Sequence, residues 1–218
     1  MNPIDLSHTI QTGMQIFPDD PEPRIEPGLL HESDYCHVDR LNLGSHTGTH
    51  IDAPFHFLPE GKRIDEIPLA RFMGWGVRIP VTGKPPGSAI TPAEIEPYLP
   101  EIEPGDFAIL HTGWDRKWGT PDYLHHPYLS PDCARLLRLH LVSLVGIDAL
   151  NVDPTHPPDS LGDPSFEAHR ILLGREILIV ENLCNLTAVP ANRGRYLFLP
   201  LKLKGSDGSP IRAAFLSD

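Results

Sequence analysis

The stretch SHTGTHIDAPFHF, residues 45–57, holds the densest group of chemically active side chains in this chain. It places four of them, His46, His50, Asp52 and His56, within eleven residues. Imidazole is the commonest metal-binding side chain and the usual proton carrier near neutral pH. A single histidine is more often a structural residue, but four such groups in so short a span favour a metal or catalytic site over an ordinary polar strand face.

The backbone of this stretch is expected to be extended. Pro54 is incompatible with a helix interior, and the β-branched residues between the histidines favour a strand. In an extended chain the even-numbered residues share one face, so His50 and Asp52 lie roughly 6.6 Å apart at Cα. Two side chains at that separation can share one metal ion.

A straight strand would keep the first and last histidines away from this pair. His46 would lie roughly 13 Å from His50. We therefore predict a bend at Gly48, the residue with the freest backbone, and a second bend at Pro54 that returns His56 to the site.

The types of side chain narrow the choice of metal. Imidazole and carboxylate without thiolate suit zinc, manganese or iron, and disfavour a structural zinc site of the cysteine type. A carboxylate can bridge two ions, so Asp52 is the natural bridge if the site is binuclear. Distant candidates are His169 on a predicted helix and Glu181 at the end of the apolar strand 177–180. Burying that carboxylate is costly without a partner, and a solvent-facing strand end is the alternative.

Composition and charge exclude several classes of function. The chain has 218 residues, 40% of them hydrophobic and 22% charged, which is enough apolar material for a sizeable core. Its formal net charge of −11 argues against a nucleic-acid partner and against a basic helix on a membrane surface. No apolar run approaches the ~18–20 residues that span a bilayer, and the first ten residues do not resemble a signal peptide. Three widely spaced cysteines fit a reducing compartment, so we expect a cytoplasmic protein.

Short strands separated by proline and glycine, with a few helices, predict an α/β domain with a mixed sheet or open barrel and a few flanking helices. Helices are expected from Pro92 to before Pro100, from Pro131 after a Ser130 cap, and from a Ser165 cap to Gly174. The expected strands are 34–43, 76–81, 107–111, 141–147, 176–180, 196–203 and 211–216.

The segment 46–57 resembles the signature of the cyclase family, which includes bacterial kynurenine formamidases, isatin hydrolases and polyketide cyclase-like proteins. The similarity extends along the whole chain, through Phe17–Pro21, His111–Trp114, Gly146–Asp148, His169, Glu181 and Leu199–Leu203. The sequence differs from the formamidase pattern in two places. Residues 149–151 read ALN instead of Thr-Pro-Ser, and Phe17 stands in place of tryptophan. Both differences bear on the choice of substrate.

The resemblance implies a swivelling β/β/α-type fold that forms a single domain over residues 1–218. It implies two zinc ions per subunit, or manganese in their place, with Asp52 as the bridge. The implied metal ligands are His46, His50, Asp52, His169 and Glu181. His56 resembles the family's proton donor and acceptor, and Phe17 an aromatic substrate contact. The resemblance also implies a small aromatic amide substrate and a homo-oligomer, either a dimer or a dimer of dimers.

These expectations lead to a metal-dependent amidohydrolase of linear amides, an arylformamidase-like enzyme that converts N-formylkynurenine to kynurenine and formate. A bound divalent ion would lower the pKa of its water and generate the hydroxide that attacks the carbonyl, while His56 protonates the leaving nitrogen. The alternatives are an isatin hydrolase, a lactonase or a polyketide cyclase-like enzyme of the same family. A non-enzymatic metal-binding module is disfavoured, because a histidine without ligand duty points to an open catalytic site.

For several other residues the sequence leaves more than one role open. Trp114 either stacks on an aromatic substrate or packs in the core. Asp148 either orients a metal ligand or ends a strand. His125 and His126 are interpreted as solvated loop residues, and His156, in a proline-rich stretch, as a residue that could approach the site.

Overall fold

The structure is a computed structural model that describes residues 2–155 and 165–217. These residues form twelve β-strands and four α-helices. The strands are β1 Pro3–Asp5, β2 Arg24–Leu29, β3 Val38–Asn42, β4 His50–Asp52, β5 Met73–Pro80, β6 Ala89–Ile90, β7 Phe107–His111, β8 Tyr128–Leu129, β9 Leu144–Ile147, β10 Leu178–Glu181, β11 Arg193–Pro200 and β12 Gly208–Leu216. The α-helices are α1 His31–Asp34, α2 Pro92–Ile95, α3 Pro131–Leu139 and α4 Glu167–Leu173. Short 3-10 helices cover Pro54–His56, Ile64–Glu66, Leu69–Phe72, Glu96–Glu101, Trp114–Lys117, Pro121–His125 and Leu186–Ala188. His156, which the sequence left as a residue near the site, lies outside the described residues.

Seven strands close into a mixed, barrel-like sheet, which confirms the expected α/β architecture. In the order β12-β11-β5-β7-β9-β10-β4 each strand pairs with the next, and β4 pairs back onto β12. The pairs from β5 through β10 are parallel, and the remaining pairs of the ring are antiparallel. The closure places β4, which carries two candidate ligands, between two neighbouring strands.

The two faces of the parallel strands explain the two hydrophobic clusters of the core. On β7, Phe107 and Ile109 belong to one cluster while Ala108 and Leu110 belong to the other, as expected when successive side chains alternate. The first cluster collects residues from most strands of the ring, and the second packs against α3 and α4. No helix in the described part of the chain has the length and apolar character that a membrane crossing requires.

Several predicted elements are present with the expected boundaries or close to them. β7 spans Phe107–His111 as predicted, and Ser130 caps α3 by accepting a hydrogen bond from the Cys133 amide at 3.2 Å. The helix that starts at Pro92 differs, because its α-helical part ends at Ile95 and a 3-10 helix continues to Glu101. Proline residues within that continuation lack the amide hydrogen that an α-helix would need.

Unusual backbone conformations account for three shifted boundaries. β9 begins at Leu144, because Leu141 adopts a left-handed φ of 57° that interrupts the expected strand. The predicted Ser165 cap is wrong, because Phe166 occupies the N-cap position of α4 with a φ of 43°. The predicted strand 34–43 is replaced by the end of α1 and by β3, which a left-handed Tyr35 separates.

Candidate metal centre

Two bends gather the clustered histidines, as the sequence predicted. Gly48 takes a left-handed conformation with a φ of 65°, just before strand β4. Pro54 begins the 3-10 helix that contains His56. The ring centroid of His46 lies 4.9 Å from that of His50 and 4.0 Å from that of His56. The large separation expected of a straight strand is therefore absent.

Strand pairing brings Glu181 to the same place. β4 runs antiparallel to β10, with His50 opposite Glu181 and Asp52 opposite Ile179. Oε2 of Glu181 lies 3.5 Å from Nε2 of His50, and Oε1 accepts a hydrogen bond from the Val152 amide at 2.8 Å. Glu181 is only 4% exposed, so the alternative of a solvent-facing strand end is excluded.

Asp52 lies at the centre of the cluster. Its Oδ1 is 2.8 Å from Nδ1 of His46 and 3.4 Å from Nε2 of His50. Its Oδ2 is 3.4 Å from Nε2 of His169, which comes from α4 and also lies 3.5 Å from Oε1 of Glu181. The structure thus brings together all five residues that were expected to be metal ligands.

Acceptors outside the cluster determine which imidazole nitrogen faces Asp52. Nδ1 of His50 donates to the Gly48 carbonyl at 2.8 Å, and Nδ1 of His169 donates to Oδ2 of Asp153 at 2.7 Å. Because these oxygens can only accept, each Nδ1 carries a hydrogen, and in the neutral ring Nε2 keeps its lone pair. Both lone pairs are then directed at the carboxylates of the cluster, an arrangement found at metal-binding histidines.

The surroundings of Asp52 fit a divalent cation. Both of its carboxylate oxygens are buried and receive no well-aligned hydrogen bond from the described residues. A carboxylate in a residue with 0% exposure requires a nearby positive charge, which protonated imidazoles or a bound divalent cation can supply. Imidazole and carboxylate ligands are those that zinc and manganese accept in proteins. We conclude that the residues present are suited to hold a divalent metal.

Without a metal ion, protonated histidines would balance the negative charge of the carboxylates in the cluster. Burial alone would lower the pKa of His50, but the Asp52 and Glu181 carboxylates outweigh burial and raise it to about 10. Burial would likewise lower the pKa of His169, which Asp153 and Asp52 raise to about 10. Burial would raise the pKa of Asp52, yet the surrounding histidines hold it well below its ordinary value. A cation must therefore displace protons when it binds.

His56 lies at the edge of this ligand set. Its Nδ1 is 3.1 Å from Oδ2 of Asp207, and the same oxygen is 3.0 Å from Nε2 of His46. The His56 side chain is 27% exposed and lines the pocket that opens over the cluster. His56 lies close enough to His46 and Asp52 for the three side chains to share one metal ion. A second set of side chains with this property is His50, Asp52 and Glu181.

The pocket over the cluster has a volume of about 150 Å³. Phe17, Phe57 and Phe166 form its aromatic walls, with ring centroids 5.2 Å apart for Phe57 and Phe166 and 6.5 Å apart for Phe17 and Phe166. The other lining residues are Asp20, His46, His50, His56, Leu150, Asn151, His169, Glu181 and Asn182. Phe17 therefore lies at the pocket, where the sequence expected a substrate contact.

Three other residues considered from the sequence act away from the pocket. Trp114 is 6% exposed and packs in the core. Asp148 accepts hydrogen bonds from the backbone and hydroxyl of Thr112 and from the backbone of Gly113, so it holds the turn after β7. The interpretation of His126 as a solvated loop residue is wrong, because it is 2% exposed and hydrogen-bonded through both ring nitrogens.

The sequence reasoning missed several residues of the site. Asp153 and Asp207 orient imidazoles, Asp20 lines the pocket, and Phe57 and Phe166 form its walls. Phe57 had a signal, since it ends the histidine-rich stretch. Asp20 also had one, since it belongs to the segment Phe17–Pro21 that resembles the family. Asp153, Phe166 and Asp207 had none, because each lies far along the chain and its position depends on the tertiary fold.

Comparisons with known proteins identify the family of this chain. A family model described as "Putative cyclase" matches residues 4–154. A Bacillus cereus protein named kynurenine formamidase is 33% identical over 212 residues, covering 96% of this chain and 95% of that protein. A Salinibacter ruber protein of the same name is 32% identical over 218 residues, with the same coverage of both chains.

Solved structures resemble the whole fold. Isatin hydrolase A from Labrenzia aggregata, bound to benzyl benzoate, gives a TM-score of 0.87 at 26% identity and covers 100% of this chain and 94% of its own. A structure described as a potential metal-dependent hydrolase with cyclase activity gives a TM-score of 0.79 at 28% identity, covering 98% of this chain and 96% of its own.

Proposed function

The chain belongs to the cyclase family, and from this premise we propose that it is a metal-dependent formamidase that hydrolyses N-formylkynurenine to kynurenine and formate. The observation that carries this proposal is the meeting of five candidate ligands, one further histidine and three phenylalanines around a single pocket. The similarity to proteins named kynurenine formamidase over nearly the full length supports the choice of substrate.

We propose two zinc ions per subunit, with manganese as the alternative metal. The residues that would hold them are His46, His50, Asp52, His169 and Glu181. The two oxygens of Asp52 face different imidazoles, which supports a bridging role for this carboxylate. A divalent ion in this position lowers the pKa of a bound water and polarises a carbonyl oxygen.

We assign proton transfer to His56. Its Nδ1 is hydrogen-bonded to Asp207, so Nε2 is the nitrogen available to the pocket. Nε2 accepts a proton from the attacking water and donates it to the substrate nitrogen as the carbon–nitrogen bond breaks. The products are formate and the free aromatic amine. This proton is essential, because an aromatic amide nitrogen leaves poorly as an anion.

The pocket walls suit an aromatic amino-acid substrate. Phe17, Phe57 and Phe166 offer apolar and edge contacts to the substrate ring. Asp20 is half-buried on the same wall and supplies a carboxylate that can pair with the α-ammonium group of N-formylkynurenine. A ring contact and a charge contact together would orient the formyl group toward the cluster.

Isatin hydrolysis is the second candidate. The isatin hydrolase structure from Labrenzia aggregata shares the fold along the whole chain. Leu150 and Asn151, which depart from the formamidase pattern, both line the pocket, where they would contact a substrate. Ring opening of a lactam needs the same water and the same proton on nitrogen, and the amine stays attached to the product.

A comparison of substrates decides between these candidates. Purified protein is stripped with a chelator, reloaded with zinc or manganese, and assayed on N-formylkynurenine, isatin and a simple lactone. We expect the highest kcat/KM on N-formylkynurenine, with release of formate that depends on the added metal. A higher kcat/KM on isatin would favour the second candidate. Full metal loading without hydrolysis of any substrate would contradict an enzymatic role.

We also propose that the enzyme assembles as a homodimer or a dimer of dimers. β2 and β3 form a two-stranded arm with exposed apolar side chains that include Leu29, Val38 and Leu41, and Tyr35 near its tip is 98% exposed. Such a hairpin is marginally stable alone, which supports its burial against a second copy. Light scattering measures the mass in solution. We expect Leu41→Lys to shift the protein toward the monomer, whereas a monomeric wild type would contradict the proposal.

We further propose that residues 1–218 act as one domain and that the protein works in the cytoplasm. β1 pairs with β12, so the first and last strands belong to the same sheet, which supports a single domain. Cys36, Cys133 and Cys184 are free thiols, which suits a reducing compartment. A single cooperative unfolding transition and recovery in the cytosolic fraction are the expected results.

A further inference from the structure

We propose that Asp207 is a positioning residue, whose carboxylate fixes the tautomers and ring orientations of His46 and His56 together. One oxygen, Oδ2, lies 3.0 Å from Nε2 of His46 and 3.1 Å from Nδ1 of His56. A single acceptor therefore joins a candidate metal ligand to the proposed proton carrier. The role given to His56 rests on the proposed function, whereas the two hydrogen bonds do not.

The chemistry of these contacts determines where each hydrogen lies. An ionised carboxylate only accepts hydrogen bonds, so Nε2 of His46 and Nδ1 of His56 must both carry a hydrogen. The opposite nitrogen of each neutral ring then keeps its lone pair. For His46 this is Nδ1, which faces Asp52, and for His56 it is Nε2. Asp207 thus leaves one ring ready to bind a cation and the other ready to accept a proton.

The backbone holds Asp207 in this position. β12 begins at the next residue, and Gly208 pairs with Asp52 across the antiparallel contact of β12 with β4. The Ala53 amide donates to the Asp207 carbonyl at 2.9 Å. The carboxylate is therefore attached to the same strand pair that carries the candidate ligands, and it does not depend on a flexible surface contact.

Gly208 provides separate support, because the His46 ring lies against it. A Cβ atom at this position would lie 3.0 Å from Cε1 of His46 and 2.7 Å from the Ile51 carbonyl oxygen. Residue 208 must therefore remain without a side chain if the imidazole is to reach Asp207. The start of β12 therefore leaves room for the His46 ring beside Asp207, the acceptor that orients it.

Substitution of Asp207, with a matched control at a carboxylate that contacts the same loop, tests the proposal. Asp207→Ala removes the acceptor, and Asp207→Asn keeps an acceptor oxygen but loses the charge. Asp65→Ala is the control, because Asp65 accepts from the Gly205 amide at 2.9 Å and so holds the loop without touching an imidazole. Thermal unfolding verifies that each variant is folded, and Asp207→Asn carries the test if Asp207→Ala does not fold.

Three measurements separate positioning from a merely structural role. The first is the tautomer of His56, from the nitrogen chemical shifts of ¹⁵N-histidine-labelled protein in metal-free and zinc-loaded forms. The second is zinc affinity, from competition with a chelator. The third is kcat and KM for N-formylkynurenine.

We expect Asp207→Ala to convert His56 from a single Nδ1–H tautomer to a mixture. Zinc affinity and kcat should each fall by about 10–100-fold, the range for removing a partner that orients a ligand, with KM nearly unchanged. Asp207→Asn should restore much of the tautomer preference, and Asp65→Ala should change none of the three. An unchanged tautomer in Asp207→Ala, or equal losses in Asp65→Ala, would overturn the proposal. If the wild type does not hydrolyse N-formylkynurenine, the tautomer and zinc measurements still decide the role of Asp207.

Discussion

His50 and Glu181 face each other across neighbouring antiparallel strands, with Nε2 of one 3.5 Å from Oε2 of the other. Backbone pairing sets this relationship, so the two groups are in place before an ion binds. We expect Glu181→Gln to fold normally and to bind zinc at least roughly tenfold more weakly, because a neutral amide is a weaker ligand than a carboxylate. Roughly tenfold is the smallest loss usually seen when a residue that hydrogen-bonds to a metal ligand is removed. Competition with a chelator measures the affinity. Glu176→Gln, at an exposed carboxylate, is the control, and equal zinc binding by both variants would contradict the assignment.

Asp52→Ala should have the largest effect on metal content. Asp52 contacts three of the candidate imidazole ligands, so its removal takes a charge from both halves of the cluster. We expect the purified variant to retain neither ion, as measured by plasma mass spectrometry after dialysis. A variant with the same metal content as the wild type would refute the bridging role.

His56→Ala should separate metal binding from turnover. His56 stands at the edge of the ligand set and faces the pocket. We expect its removal to leave the metal content unchanged and to lower kcat roughly a hundredfold or more, the usual scale for a general acid–base group. His125→Ala changes an exposed histidine and should keep full activity. A His56→Ala variant that keeps the wild-type rate would rule out the proton-transfer role.

Phe17→Ala should weaken substrate binding through the aromatic wall. Phe17 lines the pocket beside Phe166, at a centroid distance of 6.5 Å. An aromatic contact contributes about 0.5–1.5 kcal/mol beyond buried area, so we expect KM for N-formylkynurenine to rise roughly 2–10-fold. A formamide without a ring serves as the control substrate and should show no change in KM. Equal effects on both substrates would point to a general disturbance of the pocket.

His8 should make the protein less stable in acid. Its ring stacks on Trp118 at 3.9 Å, and Nε2 is buried without a partner in the described part of the chain. Burial lowers the pKa of His8 from 6.5 to about 4, although Asp115 opposes this change. Between these values the unfolded chain binds more protons than the folded one. This contribution to stability is therefore complete above pH 6.5 and is lost as the pH falls toward 4.

The measurement is the melting temperature of wild-type and His8→Phe protein from pH 7.5 to pH 4. The phenylalanine keeps an aromatic ring next to Trp118 but does not titrate, so the decline below pH 6.5 should become shallower. His125→Phe is the control at an exposed site, and it should leave the slope unchanged. Parallel curves for the wild type and His8→Phe would exclude this role for His8.

The part of the site that lies in residues 46–56 was predictable, because the residues that bend this segment lie within it. Gly48 and Pro54 are the residue types that bend an extended chain, and both bends are present. The resemblance to a known family indicated His169 and Glu181. Asp153 and Asp207 were not predictable, because their proximity to the imidazoles depends on the packing of α4 beside Asp153 and on the pairing of β12 with β4.

The fold class was predictable, but the closure of the sheet was not. Alternating strands and helices indicate an α/β domain wherever apolar runs are long enough to recognise. β4 has only three residues, and its two pairings are tertiary contacts without a local signal. Leu141 and Phe166 adopt left-handed conformations that residues of their type rarely take, so their shifted boundaries could not be anticipated.

The pairing of β4 with two strands bears on whether the protein stays folded when no metal ion is bound. Ile51, between the candidate ligands His50 and Asp52, lies opposite Val180 on one side and opposite Ser209 on the other. The segment that carries the candidate ligands is thus the strand that closes the ring, and it can leave its neighbours only if the ring itself opens. Loss of the ions should therefore leave the backbone around the candidate ligands folded, so that metal ions can bind again without refolding of the chain. In this respect the protein differs from small zinc domains, whose backbone order is created by the metal.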